Sequence, residues 1–145
     1  MTLNDLLDRS AARRPNAAAL VHVQDGAEAT VPFAALRHLV LRAAAAFRSV
    51  GVGKGDSVVI MHRNDPAFVV AYLGLSRIGA VAVPVNFMIS KPSELAYMFG
   101  HCRAKAVVTQ REFLKGVLAA QADCPELSRV WTTDERRGQG EHVHP

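Results

Sequence analysis

Residues 51–86 read GVGKGDSVVIMHRNDPAFVVAYLGLSRIGAVAVPVN, and this stretch decides the fold class. The segments 57–61 and 80–83 carry apolar residues in a continuous run, as strands do when both faces of their sheet are covered. Between them, Asn64 or Asp65 is suited to cap a helix, Pro66 fits the first turn of that helix, and Gly79 ends it. A strand, a helix and a second strand in this order predict a βαβ unit in a parallel sheet.

The sequence on both sides continues the alternation of helices and strands. Apolar residues at three- and four-residue steps predict a helix over 33–50, and Gly51 follows in the left-handed position that ends many helices. Further along, the pattern predicts a helix over 92–102, a strand over 104–108, a helix from a Thr109–Glu112 capping box to Gln121, and a strand over 129–132. The expected fold is α/β, with a mostly parallel sheet flanked by helices on both faces.

The N-terminal residues predict a small addition to this sheet. Residues 3–14 read as a helix with Leu3, Leu6 and Leu7 on one face. Two strands, 18–23 and 29–33, then surround an Asp25–Gly26 turn and predict a hairpin. At the other end, residues 134–145 are polar with no core pattern, so we expect one domain over 1–133 and a tail or linker over 134–145.

Composition narrows the class of protein. Of the 145 residues, 50% are hydrophobic and 21% are charged, which is typical of a globular chain. The net charge of +4 is spread over scattered arginines without interleaved aromatic residues, so we expect no nucleic-acid partner. The chain has no run of about 18 apolar residues and no signal-peptide pattern, which predicts a cytoplasmic protein without a membrane span. Cys102 and Cys124 match no metal or redox spacing.

The glycine-rich run Gly51–Asp56 invites comparison with a phosphate-binding loop. A Walker loop places Ser or Thr after its Lys and stands between a strand and a helix, so that helix N–H groups face the phosphate. Here Gly55 follows Lys54, and the order is helix then strand. The run therefore predicts a helix end and a turn.

Four residues are candidates for a ligand-binding cleft. His62, Arg63 and Asn64 follow a predicted parallel strand, and Asn86 follows the next one, so all four belong to the sheet edge where ligands of α/β proteins collect. The alternative is that Asn64 and Asp65 cap a helix, that His62 and Arg63 are solvated, and that Asn86 binds the backbone of its loop, as asparagine commonly does in turns. The pair His142 and His144 has no third ligand, so no metal site is predicted.

Five phrases in order resemble one enzyme family. They are Val31–Leu36 (VPFAAL), Val50–Asp56 (VGVGKGD), Asn64–Phe68 (NDPAF), Ala71–Ala80 (AYLGLSRIGA), and Pro84–Asn86 (PVN) followed by Glu94–Leu95. Each phrase is short, but their order and spacing over about a hundred residues are specific. The segment from Leu6 to Thr109 resembles the N-terminal part of the adenylate-forming, AMP-binding acyl-CoA synthetases of the ANL superfamily.

The resemblance implies a two-step ligase that uses ATP, Mg and CoA. A carboxylate attacks the α-phosphate of ATP to give an acyl-adenylate, and the CoA thiol then displaces AMP. In that family the phosphate loop and the catalytic lysine come later in the chain, so no catalytic, cofactor-binding or metal-binding residue is expected here. Because alignment of substrates and neutralisation of phosphate charge need those groups, we expect residues 1–145 to be inactive alone.

Three functions therefore stay open at this point. The first is the N-terminal part of a synthetase, which needs the remainder of that enzyme as its partner and self-associates when the remainder is missing, since apolar surface and unpaired strand edges are then exposed. The second is a stand-alone, non-catalytic interaction module. The third is a small-ligand binder that uses the edge near His62 and Asn86.

Overall fold

The computed structural model describes residues 1–24 and 26–134 of the chain. It contains five helices and six strands in these residues. In chain order they are α1 (Leu3–Arg13), β1 (Ala18–Gln24), β2 (Ala27–Pro32), α2 (Phe33–Ser49), β3 (Ser57–Met61), α3 (Pro66–Arg77), β4 (Val81–Pro84), α4 (Pro92–His101), β5 (Ala104–Thr109), α5 (Arg111–Gln121) and β6 (Arg129–Thr132).

The main sheet has four strands in the order β4-β3-β5-β6, and all of its neighbouring pairs are parallel. Each connection between its strands contains a helix, because parallel strands need a crossover to bring the chain back to the same edge. All four strands therefore end at one edge of the sheet. The predicted α/β class with a parallel sheet is confirmed.

Helices cover both faces of this sheet. On one face, α2 and α3 pack on alternate strand residues, including Val58, Ile60 and Val108. On the other face, α4 and α5 pack on the intervening residues, including Val59, Met61 and Val107. This two-sided burial explains why the strands read as continuous apolar runs in the sequence.

The N-terminal elements pack against α2 and α3 instead of extending the main sheet. Strands β1 and β2 form a separate antiparallel hairpin, as predicted. Helix α1 is held to α3 by Arg77, whose guanidinium bonds the Asp8 carboxylate at 2.5 Å and the Asn4 side-chain oxygen at 3.2 Å. Asn4 also donates to the carbonyl oxygen of Leu73 at 3.3 Å. These polar contacts add to an apolar contact, in which Leu7 is buried against Leu36 and Val40 of α2.

Two local predictions were wrong. Leu3 and Leu6 are 52% and 46% exposed, and the buried residues of α1 are instead Asn4, Leu7 and Ala11. The Thr109–Glu112 capping box is absent. Thr109 is the last residue of β5, where its hydroxyl donates to the Met61 carbonyl oxygen at 2.9 Å, and Gln110 occupies the N-cap position of α5 without a side-chain cap bond.

The glycine-rich run lies where β3 begins, at the edge opposite to the strand ends. Gly51 and Gly55 adopt positive φ angles of 84° and 85°, which glycine reaches without strain, so the predicted helix end and turn are confirmed. No helix in the described part of the chain is long and apolar enough to cross a membrane. The predicted tail over 134–145 falls almost wholly outside the described residues, so the boundary at 133 stays a prediction.

Candidate functional site

The ends of the parallel strands bring the candidate residues to one edge. His62 and Arg63 directly follow β3, Asn64 is in the same loop, and Asn86 lies in the loop after β4. Residues from the ends of β5 and β6 join them there. The topology therefore brings the four candidate residues to one edge of the sheet. The contacts of each side chain decide whether it is free to bind a ligand.

The imidazole of His62 is fully buried and bonded on both nitrogens. Its Nδ1 lies 2.9 Å from the Arg63 carbonyl oxygen, and its Nε2 lies 2.6 Å from the Thr133 hydroxyl. Since a carbonyl can only accept, Nδ1 carries the proton in the neutral ring, and the Thr133 hydroxyl donates to Nε2. The Asp65 carboxylate lies 3.4 Å from Nδ1. Both nitrogens are thus occupied by protein groups, and the solvated alternative does not hold for His62.

Arg63 is 55% exposed, but its charge is paired. Its Nε and Nη2 donate to the two carboxylate oxygens of Glu112 at 2.6 and 3.0 Å, the bidentate geometry that arginine favours. The guanidinium carbon also lies 5.1 Å from the ring centre of Phe87 and 5.7 Å from that of Phe113. Hydrogen bonding to Arg63 lowers the pKa of Glu112 below its ordinary value. Arg63 therefore links the loops after β3 and β4 to α5.

Asn86 and Asn64 differ in their contacts. The side-chain oxygen of Asn86 accepts the backbone N–H of Met88 at 3.0 Å, which is the loop-binding role that the sequence favours. Asn64 is exposed and lies at the wall of a cavity of about 280 Å³, together with Asp65, Phe68 and His22. Asp65, and not Asn64, caps α3 by accepting the backbone N–H of Phe68 at 3.1 Å.

Sequence reasoning missed the residues that close this edge from the β5 and β6 side. Gln110 accepts the backbone N–H of Arg63 at 2.9 Å through its side-chain oxygen. The Asp134 carboxylate accepts the backbone N–H of Arg111 at the start of α5, and the N–H of Thr133 donates to the Thr109 carbonyl oxygen at 3.1 Å. Their position in the sequence could have indicated them, because Gln110 directly follows β5 and because Thr133 and Asp134 are the first two residues after β6.

At the opposite edge of the sheet, the charged side chains are also bonded to other groups of the protein. The ammonium of Lys105 bonds the Asp56 carboxylate at 2.8 Å and the Gly51 carbonyl oxygen at 2.7 Å. Asp56 also accepts the backbone N–H of Gly53 at 2.8 Å. These contacts, with the Lys105 bond first, lower the pKa of Asp56 below its ordinary value. The charges of Lys105 and Asp56 are therefore paired with each other and hold the turn before β3 in place.

One further feature of the described structure is an open apolar groove of about 460 Å³. It runs between α2, α3 and the end of β6, on the sheet face that α2 and α3 cover. Of the described residues that line it, Thr133 alone carries a side-chain hydroxyl, and the others are aliphatic or aromatic. Its walls are Leu39, Ala43, Ala46, Phe47, Pro66, Ala67, Val70, Ala71, Val108, Trp131 and Thr133.

No metal centre is present in the described ranges. Residues 1–24 and 26–134 contain no group of three or more His, Cys, Asp or Glu side chains placed to hold a metal ion. His142 and His144 lie outside these ranges. Burial raises the pKa of both the Cys102 and the Cys124 thiol, so neither thiol has the lowered pKa of a reactive cysteine.

Curated proteins similar to the chain are acyl-CoA ligases. The crotonobetaine/carnitine–CoA ligase of Proteus mirabilis is 40% identical over 83 residues, which is 56% of this chain and 15% of that protein. The mitochondrial medium-chain acyl-CoA ligase ACSF2 of Rattus norvegicus is 32% identical over 137 residues, 89% of this chain and 21% of that protein. The chain thus spans about a fifth or less of the length of these relatives.

Solved structures agree with the curated relatives. The anthranilate CoA ligase AuaEII, in complex with anthranoyl-AMP, aligns with a TM-score of 0.79 and 26% identity over 89% of this chain and 24% of its own. The N-terminal domain of FACL13 from Mycobacterium tuberculosis aligns with a TM-score of 0.82 and 25% identity over 92% and 34% of the two chains. The family model described as AMP-binding enzyme matches residues 7–143. The chain therefore belongs to the AMP-binding enzyme family and has the fold of its CoA ligases.

Proposed function

We propose that the chain is the N-terminal part of an ATP-dependent acyl-CoA synthetase. The complete enzyme joins a carboxylate to the α-phosphate of ATP, releases pyrophosphate, and transfers the acyl group from the adenylate to the CoA thiol with loss of AMP. The observation that carries the proposal is the family match along 7–143, together with relatives that are named as CoA ligases. The proposed substrate class is a carboxylic acid and no narrower, because the names of these relatives range from crotonobetaine and carnitine to medium-chain acyl groups.

The role of residues 1–145 in this enzyme is to build and hold a sheet, and not to perform the chemistry. The polar groups at this edge already bond other protein groups: His62 bonds Thr133, Arg63 bonds Glu112, and Asn86 bonds the backbone of Met88. The candidate residues do not fit ATP and Mg, because Arg63 is neutralised by Glu112 and the carboxylates of Asp65 and Asp134 bond protein groups. ATP, Mg and CoA belong to the complete enzyme, and the chain alone is inactive.

A chimera tests this proposal. Residues 1–145 are joined to the part of the rat ligase that follows its matching segment, and thioester formation is measured with ATP, Mg, CoA and a panel of fatty and aromatic acids. We expect activity from the chimera and none from the 145-residue chain. A folded chimera that forms neither adenylate nor thioester would contradict the proposal. Thioester formation by the isolated chain would contradict its inactivity.

One observation favours a second candidate, a non-catalytic interaction module. The apolar groove offers a binding surface that requires no chemistry from the chain. The two candidates differ in their dependence on the rest of a synthetase. A module binds its partner from a different polypeptide and gives no activity in the chimera.

The chain's surroundings follow from the same proposal. We place the enzyme in the cytoplasm, where ATP and CoA are available. We place its reaction in fatty-acid metabolism. Without the rest of the enzyme, the chain self-associates through exposed apolar side chains and unpaired strand edges. Fractionation of the source cells tests the location, and light scattering tests the self-association.

A further inference from the structure

The cavity of about 280 Å³ lies between strand β1 and the start of α3, and we call it the β1–α3 cavity. Leu20 of β1 packs with Val69 of α3, and His22 belongs to the same face of the strand, two residues further on. Asn64 and Asp65 come from the loop before α3. The lining residues are Leu20, Val21, His22, Asn64, Asp65, Pro66, Phe68 and Val69. Apolar walls with a few polar side chains are the usual composition of a small-molecule site.

The imidazole of His22 has an unsatisfied nitrogen. Its Nδ1 is buried without a hydrogen-bond partner, and it is the only such nitrogen or oxygen among the side chains that the structure describes. A buried polar atom without a partner costs free energy, so native proteins rarely keep one. A turn of the ring about its Cβ–Cγ bond can bring a nitrogen to the cavity, where a ligand can bond it. The ring is thus a hydrogen-bonding group that the described chain leaves unused.

The loop before α3 gives the cavity a negative charge. The Asp65 carboxylate lines the cavity, and its side chain is 34% exposed. In the described part of the chain no lysine or arginine pairs with it, and the only such contact it makes is with the His62 imidazole, whose Nδ1 lies 3.4 Å away. A carboxylate without a cationic partner attracts a cation. Asn64 is exposed at the same wall, and its amide oxygen can accept a further N–H donor.

An anion is unfavourable in this cavity, although the cavity lies at a helix N-terminus. At the start of α3, Pro66 has no N–H, and the N–H of Phe68 is already bonded by Asp65 at 3.1 Å. The charge of Asp65 also repels a phosphate or a carboxylate. The cavity is therefore not a site for the phosphates of ATP or for the acid that the proposed reaction consumes.

We propose that the β1–α3 cavity is an accessory binding site for a small organic ammonium ion with an apolar body. The ammonium group contacts the Asp65 carboxylate and donates to Asn64 and to a ring nitrogen of His22, while the apolar body lies against Leu20 and Phe68. An aromatic ring such as that of Phe68 also attracts a cation through its π face. The cavity volume is at the lower end of the range for ligand pockets, so the ligand is small. The site is separate from the proposed synthetase reaction.

Three probes of similar shape and different charge test the site. They are 2-phenylethylammonium, 2-phenylethanol and 3-phenylpropanoate, each titrated into the 145-residue chain at neutral pH and followed by backbone amide shifts in heteronuclear NMR spectra. We expect the ammonium to shift the amides of Leu20, His22 and Phe68 and to bind at least about tenfold more tightly than the anion, with the alcohol between them. The ring nitrogens of His22 should also shift, whereas those of the exposed His38 on α2 should not.

Two variants separate the charge from the shape of the cavity. D65N removes the charge and keeps the cap of α3, because asparagine caps helices about as well as aspartate. H22F keeps a ring and removes its nitrogens. We expect each variant to weaken binding of 2-phenylethylammonium at least about threefold. The matched control D123N removes an exposed carboxylate outside the cavity and should leave binding unchanged. Melting curves report that each variant is folded.

Shifts confined to the β1–α3 cavity, with this order of affinities, would support the site. The proposal is overturned if 2-phenylethylammonium causes no shifts at millimolar concentration, if it binds no more tightly than the anion, or if the shifts fall on groove residues such as Ala46 and Trp131. Unchanged affinity in folded D65N would also overturn it. If H22F does not fold, unshifted ring nitrogens of His22 in the wild type would overturn the site as proposed. The measurement uses no thioester formation, so an inactive chimera would contradict the proposed function and leave this site standing.

Discussion

The imidazole of His62 makes two hydrogen bonds inside the protein, to the Arg63 carbonyl oxygen and to the Thr133 hydroxyl. Its position after a parallel strand is one at which α/β proteins bind ligands, and the sequence carries no sign of the bond to Thr133, which is 71 residues away. A buried polar side chain costs free energy unless it is bonded, so both partners are needed. His62 thereby joins the loop after β3 to the chain leaving β6.

We expect H62A to lower the free energy of unfolding by about 2–4 kcal/mol, because it removes two buried hydrogen bonds and leaves a cavity. Urea denaturation measures this change. The exposed neighbour provides the control, and N64A should stay within about 0.5 kcal/mol of the wild type. In a double-mutant cycle with T133V, the two changes should couple by about 0.5–3 kcal/mol. Additive effects would show that the bond between the two side chains contributes nothing to stability.

Asp56 supplies a pH dependence. Its ordinary pKa is 3.8, and bonding to Lys105 and to the Gly53 N–H lowers the pKa in the folded state. A lowered pKa means that the unfolded chain binds the proton more tightly, so the stabilisation is complete above the ordinary pKa and is lost as pH falls through the folded pKa. We expect D56N to be less stable by about 1 kcal/mol at neutral pH and to lose less stability on acidification.

The matched control is D123N, an exposed aspartate after α5. Denaturant unfolding of the three proteins at several acidic pH values makes the comparison. If the stability difference between wild type and D56N were the same at neutral pH and well below the ordinary pKa, the Asp56 carboxylate would not be the group responsible.

At the scale of elements, two helical glycines have opposite surroundings. A Cβ on Gly74 in α3 would lie 3.0 Å from the Ala43 Cβ and 3.3 Å from the Ala44 backbone nitrogen in α2. A Cβ on Gly116 in α5 would meet its nearest atom, in Leu95, at 3.7 Å, which is ordinary contact. Gly74 therefore permits the close approach of α2 and α3, and Gly116 only weakens its helix.

We predict opposite signs for the same substitution at these two positions. G74A should lower the free energy of unfolding by about 1–3 kcal/mol through crowding between the helices. G116A should raise it by about 0.5–1 kcal/mol, since alanine restricts the unfolded chain and favours the helix. Thermal unfolding of both variants beside the wild type gives the comparison. A neutral or stabilising G74A would show that α2 and α3 can separate at little cost.

Local patterns predicted the elements better than their docking. The strand 57–61 was placed correctly because a buried parallel strand has a distinctive apolar run. The buried face of α1 was wrong, because Asn4 is bonded by Arg77 and Leu73, which are distant in sequence, and Leu3 and Leu6 stay exposed. Thr109 failed as a cap for a similar reason. Its hydroxyl bonds a neighbouring strand, and only the assembled sheet provides that partner.

Over the whole molecule, the division of the sheet into covered and uncovered regions could not be read from the sequence. Phe47, Val70 and Trp131 look like ordinary core residues in the sequence, but in the structure they line an open groove. The sequence did indicate the sheet edge that gathers His62, Arg63 and Asn86. It could not show that the polar groups of these three residues are hydrogen-bonded within the protein, to Thr133, Glu112 and Met88 respectively.

The isolated chain should self-associate, and the hairpin offers an exposed apolar surface for it. Val21 and Val23 of β1 are 56% and 74% exposed, and β1 pairs only with β2 among the described strands, so its outer edge has free backbone groups. Edge strands with exposed apolar residues pair readily with other chains.

We expect the mass measured by light scattering to rise with protein concentration in the wild type. The variant V21K/V23K should stay closer to monomeric, because charge on an edge strand opposes pairing, whereas A45K on α2 should behave as the wild type. A wild type that stays monomeric at high concentration would refute the self-association, and equal association of all three proteins would exclude the hairpin as its surface.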